Sequence, residues 1–157
     1  MQLLNTGIKN LLLAALAFSL MANQVHAGAR GTASEAKAMV EKAASFMRAF
    51  GSERALAEFN KNPGRFTDRD LYIFVSDMNG TILAHGANKT LIGRNLIELK
   101  DIEGKYFIKQ MLLIARTKGS GWVDYKWNNP STNKIETKST FLQRVGSYLI
   151  CCGVYKQ

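Results

Sequence analysis

Asp70-Leu-Tyr-Ile-Phe-Val-Ser-Asp-Met-Asn-Gly-Thr-Ile-Leu-Ala-His85 is the stretch on which the fold turns. Asp70 to Ser76 is rich in β-branched and aromatic residues, as befits a strand that is apolar on both faces. Asp77-Met-Asn-Gly80 is a turn signal, and Asn-Gly favours a tight hairpin because glycine accepts positive φ. Thr81 to His85 is the returning strand. A sheet built from such strands must be covered on both sides, so the flanking segments are read for covers.

Upstream of the hairpin the period is 3.6 residues rather than 2. Thr32-Ala-Ser-Glu35 is a capping box that opens a helix. Ala36, Met39, Val40, Ala43, Met47 and Phe50 form its apolar stripe, with Phe46 beside it, while Lys37, Glu41, Lys42 and Arg48 lie off it. Gly51 ends this helix and Ser52 caps a second, short one over Glu53 to about Asn60, broken by Asn62-Pro63-Gly64. Downstream, Gly86 to Asp101 is a loop anchored by Leu91, Ile92 and Leu96. Lys105 to Thr117 is helical again, with Phe107, Ile108, Met111, Leu112 and Ala115 in one stripe.

Three strands follow. Gly121 to Trp127 alternates, with Val123, Tyr125 and Trp127 on one side and Trp122, Asp124 and Lys126 on the other. Asn128 to Asn133 is a polar hairpin loop. Lys134 to Gln143 and Tyr148 to Tyr155 complete the set. Short connections make the sheet antiparallel. The expectation is an α+β fold: a five-stranded antiparallel sheet, a long N-terminal helix and a helix between strands 2 and 3. The helices pack on one face, and the first helix and the crossing loops are available to cover the other. A cover of short helix and irregular loop leaves room for a cavity.

The N-terminus reads as an export leader. Lys9 precedes the apolar run Leu11 to Phe18, and Val25-His26-Ala27 is a small-residue cleavage site. The expected domains are a signal peptide over 1–27 and one soluble, periplasmic domain over 28–157. Export argues against cytosolic ATP, NAD or nucleic-acid chemistry. The formal net charge is +9, but the basic residues are scattered with no block of five or more, so no nucleic-acid partner is expected. Cys151 and Cys152 are adjacent, with no distant cysteine to pair with. On a strand they point to opposite faces and read as small buried hydrophobes, with a redox accessory role as the alternative.

The run Asp70 to Gly80, Ala84-His85-Gly86 and Leu91-Ile92-Gly93 resembles the first hairpin and following loop of single Cache domains. Gly121 to Trp127, Asn129-Pro130, Lys138 and Cys152-Gly153-Val154-Tyr155 resemble that family's last three strands. The resemblance covers about Ala33 to Lys156. It implies a PAS-like extracytoplasmic fold that senses small molecules, often carboxylates, amino acids or amines, for chemoreceptors and histidine kinases. It also implies a ligand between the sheet and the helix-and-loop layer. The chain resembles the stand-alone secreted members, so output is expected through a partner such as a membrane histidine kinase or chemoreceptor.

On these grounds the expected ligand-binding residues are Tyr72, Phe74, His85, Trp122, Tyr125, Trp127 and Lys138. The aromatics supply apolar wall and polar tips. Lys138 matches the family's lysine in the fourth strand. His85, the one histidine beyond the leader, is placed to donate to a carboxylate, more strongly when protonated. Arg94 is a weaker basic candidate. No catalytic set is apparent: there is no cysteine, histidine and carboxylate cluster for zinc, no G-x-S-x-G and no phosphate loop, so neither enzyme activity nor a cofactor is expected. A ligand-free interaction module of a periplasmic complex stays open as a rival, and pairing of two copies as a homodimer through the first helix is left open beside either reading.

Overall fold

In the computed structural model, residues 30–156 are described; the leader expected over 1–27 lies outside them. The first helix, α1 (Ala33–Phe50), opens with both halves of the capping box. The Glu35 N–H donates to Thr32 Oγ1 at 3.2 Å, and the Thr32 N–H donates to the Glu35 carboxylate at 2.8 Å. Ala36, Val40, Ala43, Ala44, Phe46 and Met47 are buried. Phe50, expected in the stripe, is half exposed because the helix ends there, and Arg54 lies 4.8 Å above its ring. Gly51 takes φ +81°, and α2 (Ser52–Phe59) begins at once.

The hairpin forms as read. β2 (Leu71–Asp77) pairs antiparallel with β3 (Ile82–His85), with a register shift between Val75 and Ser76. In the turn, Asp77 Oδ1 accepts from the N–H groups of Asn79 and Thr81 at 2.9 and 2.8 Å. Gly80 sits at φ +90°, and a Cβ there would press on Ile97 at 3.1 Å, so the turn requires glycine. The remaining strands are β1 (Thr67–Asp68), β4 (Ser120–Asn129), β5 (Lys134–Val145) and β6 (Tyr148–Tyr155). The order is β1-β2-β6-β5-β4 with β3 also on β2, and all pairings are antiparallel. The five expected strands are present. The sixth, β1, is only two residues long and is defined by its pairing with Leu71 and Tyr72.

The side-chain period of 2 divides the sheet into two cores. Leu71, Ile73, Val75, Phe141, Ile150, Cys152 and Val154 face α1 and α2. Tyr72, Phe74, Val123, Tyr125, Leu142, Leu149 and Cys151 face α3 (Phe107–Thr117) and the segment between β3 and α3. The helices are therefore shared between the faces: α1, read as an available cover for the second face, lies with α2 opposite α3, while the crossing loop, also read as such a cover, shares the α3 face. The α3 stripe, itself apolar at Phe107, Ile108, Met111, Leu112 and Ala115, needs a second sheet face to bury against.

The segment before α3 is pinned to the sheet edge chiefly by Asp101, with Lys105 Nζ donating to the Asp124 carbonyl and Glu103 pairing with Lys126 beside it. Asp101 accepts from the N–H groups of Glu103 and Lys105 through Oδ1, and from the N–H of Lys126 on β4 through Oδ2, each at 2.9 Å. Burial alone would raise its pKa, but these donors outweigh burial and hold it below the usual carboxylate range. Asp101→Ala should cost about 1–3 kcal/mol, since three donors lose their acceptor. Hydrogen exchange should quicken at Glu103, Lys105 and Lys126 and leave β2 and β6 unchanged. Uniform quickening would refute the local pinning.

Candidate functional site

The site is a narrow cavity between the sheet and the cover made by α3 and the 86–106 segment. β2 contributes Tyr72 and Phe74, β3 contributes Ile82 and His85, β4 contributes Tyr125 and Trp127, and β5 contributes Lys138. Leu91, Leu96, Phe107 and Ile108 close it from the cover. The space left between these side chains is very narrow, with room for about one water molecule, so an organic acid enters only where the lining side chains shift.

Six of the seven residues expected at the site therefore stand around one space. Trp122 does not. It pairs with Phe141 across β4 and β5, its ring 5.2 Å from that ring on the α1 face, and is 38% exposed. Alternation along β4 is the reason: Tyr125 and Trp127 point one way, Trp122 the other. Arg94 is exposed and outside the wall. Leu91, Leu96, Phe107 and Ile108 are legible in the sequence as apolar anchors and a helical stripe, but not as cavity wall. Tyr155 also belongs to the site through hydrogen bonds, and no sequence pattern marks its hydroxyl.

Lys138 is fully buried, and no carboxylate of the described residues forms an ion pair with it. Its Nζ donates to Tyr72 Oη at 2.6 Å. The Tyr155 hydroxyl donates to the Asn128 carbonyl at 2.8 Å, which leaves its oxygen to accept from the Tyr72 hydroxyl at 3.2 Å. The network thus runs one way, from Lys138 to Tyr72 to Tyr155 to the backbone. An ammonium has three donors, so two remain for the cavity. The Tyr72 and Tyr155 rings, with centroids 4.0 and 5.0 Å from Nζ, offset part of the cost of burying the charge. That cost still lowers the Lys138 pKa to about 7, with burial the chief cause. Gly153 makes the placement possible, because a Cβ there would overlap Lys138 Cε and Thr140 Oγ1.

His85 is the second polar group. Its Nδ1 accepts from the backbone N–H groups of Ala87 and Asn88 at 3.3 and 2.9 Å. The ring proton is therefore on Nε2, which has no hydrogen-bond partner among the described residues. The ring lies 5.0 Å from that of Tyr72 and 5.7 Å from that of Phe74. Burial first, and the Lys138 charge second, lower its pKa to about 3. His85 is thus a donor in its neutral form, without the added strength that protonation would bring. Tyr72 and Tyr125 are pushed well above the usual tyrosine range by burial and stay protonated.

Cys151 and Cys152 point to opposite faces, one into each core, and both are fully buried. Burial raises both thiols, Cys152 to about 12. Such thiols form little thiolate, so the geometry does not favour redox chemistry. Among the described residues no group of three or more histidine, cysteine or acidic side chains is placed to hold a metal. No helix among them is long and apolar enough to cross a membrane.

A family model, single Cache domain 2, matches residues 2–155. The chain is 28% identical over 90 residues to the methyl-accepting chemotaxis protein McpP of Pseudomonas putida, which is 56% of this chain and 16% of that protein. It is 32% identical over 89 residues to the sensor histidine kinase MctS of Rhizobium johnstonii, 55% of this chain and 19% of that one. The match spans under a fifth of the length of either relative. Among solved structures, a Cache chemosensory domain determined to show the structural basis of carboxylic acid recognition superposes with a TM-score of 0.67. It is 20% identical, and the match covers 97% of this chain and 100% of that one, a likeness of fold.

Proposed function

The chain belongs to the single Cache domain 2 family, and from that premise we propose that it binds a short monocarboxylate in the cavity beneath α3. The observation that carries this reading is Lys138, a fully buried cation with which no acidic side chain among the described residues forms an ion pair. A buried charge is costly unless paired, and an incoming carboxylate supplies the pair. One carboxylate oxygen takes the free Lys138 donors, the other takes His85 Nε2–H. The alkyl end lies against Ile82, Leu96 and Ile108. The solved relative that recognises a carboxylic acid adds support. With a leader over 1–27, the domain works in the periplasm. The relatives support a membrane histidine kinase or chemoreceptor as the listener. Ligand shifts the population toward states in which the 86–106 cover is closed on the sheet.

The two tryptophans of the chain make the test simple. Trp127 lines the cavity, while Trp122 is on the far face. Acetate or propionate should change the intrinsic fluorescence, the change should survive in Trp122→Phe, and it should vanish in Trp127→Phe. Saturation at 100 Kd should also add about 2.7 kcal/mol of stability. No response to either acid defeats the reading. The narrowness of the cavity favours a second reading, an interaction module whose interior is filled by its own side chains. That module would show partner binding with no fluorescence response to either acid.

A further inference from the structure

Among the described residues no acidic side chain forms an ion pair with Lys138, although the buried Asp70 carboxylate, whose Oδ2 has no hydrogen-bond partner, is near enough to favour its charge. From β2 it faces Tyr72, with Asp70 just before that strand; from β3, His85; from β4, Tyr125; from β6, Tyr155, with Cys151 and Cys152 nearby. On β5 itself, Glu136 is two residues away and on the same face. Asp70 gives one oxygen to the Gly31 N–H. Glu136 is bound to Arg30, Asn129 and Thr132. Neither acid pairs with Lys138. The cover contributes only apolar side chains to the wall, Leu91, Leu96, Phe107 and Ile108.

We propose that anion binding at this site takes up a proton, so that occupancy reports external pH together with ligand concentration. The inference rests on the carboxylate reading above and assigns it a regulation. An empty cavity holds Lys138 among three aromatic rings with two donors facing no acceptor, so the neutral amine is accessible there. A carboxylate in the cavity places a negative charge at hydrogen-bond distance and makes the ammonium the favoured form. The balance is one proton from solvent to Lys138 Nζ for each anion bound above neutrality. No other wall group contributes: His85 is neutral down to about pH 3, and burial keeps Tyr72 and Tyr125 protonated well above pH 10. With Lys138 at about 7 when the site is empty, the apparent Kd should weaken about tenfold from pH 6 to pH 8 and about tenfold more by pH 9.

The test is calorimetry of the full chain with propionate at pH 6, 7, 8 and 9, each in two buffers of different ionisation heat. The expected result is that weakening, with close to one proton taken up per anion at pH 8 and close to none at pH 6. An affinity constant within twofold from pH 6 to pH 9 overturns the proposal and leaves the carboxylate reading standing. No binding even at pH 6 overturns both. An independent arm follows the Lys138 Cε resonance: a midpoint near neutrality without ligand, moving above 9 with saturating propionate, supports the proposal. A midpoint above 9 in the empty protein overturns it.

Discussion

Lys138→Met should abolish carboxylate binding and leave the protein as stable as before, or more so. The two effects separate because they have different physical origins. Truncating one partner of a buried charge pair costs about 2–5 kcal/mol of affinity, or at least about 30-fold in Kd. Replacing a buried charge with an apolar side chain of similar length is often neutral or stabilising by about 1–4 kcal/mol. Among the described residues Lys138 has Tyr72 Oη as its one hydrogen-bond partner and forms no ion pair with an acid, so its burial is poorly offset. The sign with pH follows. Its pKa is about 7 in the fold and about 10.4 in an unfolded chain. Between those values the unfolded state binds more protons, and the lysine's contribution makes stability rise with pH. Lys138→Met should flatten that slope and gain most below pH 7. Urea denaturation at pH 6 and pH 9, beside a propionate titration, reads both effects. A methionine variant that binds propionate as the natural protein does would overturn the role of Lys138.

Phe66→Ala should cost about 3–5 kcal/mol, a large part of the total of about 5–15 kcal/mol typical of a domain. Phe66 is fully buried. Its ring meets Phe59 edge-on at 4.8 Å and Phe46 at 5.5 Å, in the core beneath α1 and α2. This core lies across the sheet from the cavity, so whatever protein remains folded should bind propionate with unchanged affinity. The urea midpoint gives the cost. A loss below about 1 kcal/mol would mean that the site collapses to fill the hole, contrary to the packing described.

Elements with local signals are legible in the amino-acid sequence alone. Thr32 and Glu35 mark the start of α1 because each satisfies the other's backbone N–H. Asn79-Gly80 marks the hairpin because Gly80 adopts positive φ. The period of 2 along β4 already parts Trp122 from Tyr125 and Trp127, and aromatic character alone places Trp122 in the expected site. Other features depend on partners far away in the chain. β1 exists only because Phe66 to Asp68 runs beside β2; its two residues carry no signal of their own. The face that α3 covers depends on how the 86–106 segment crosses, and Asp101 settles that by reaching β4. The sequence leaves His85 free to protonate, whereas in the fold the N–H groups of Ala87 and Asn88 occupy Nδ1. Sequence leaves Lys138 ambiguous between a solvated edge and the interior, because Thr137 and Ser139 beside it are small and polar. Its burial follows from the central place of β5 between β4 and β6 and from the missing side chain at Gly153.

The central claim is that Lys138 and His85 present donors that only an anion completes. Calorimetry at pH 6 with propionate and with propionamide, its neutral near-isostere, tests this most directly. Propionate should bind at one site per chain, and propionamide should bind at least about 30-fold more weakly, because it brings no charge to the buried ammonium. Equal affinities, or heat from the amide alone, would contradict the account.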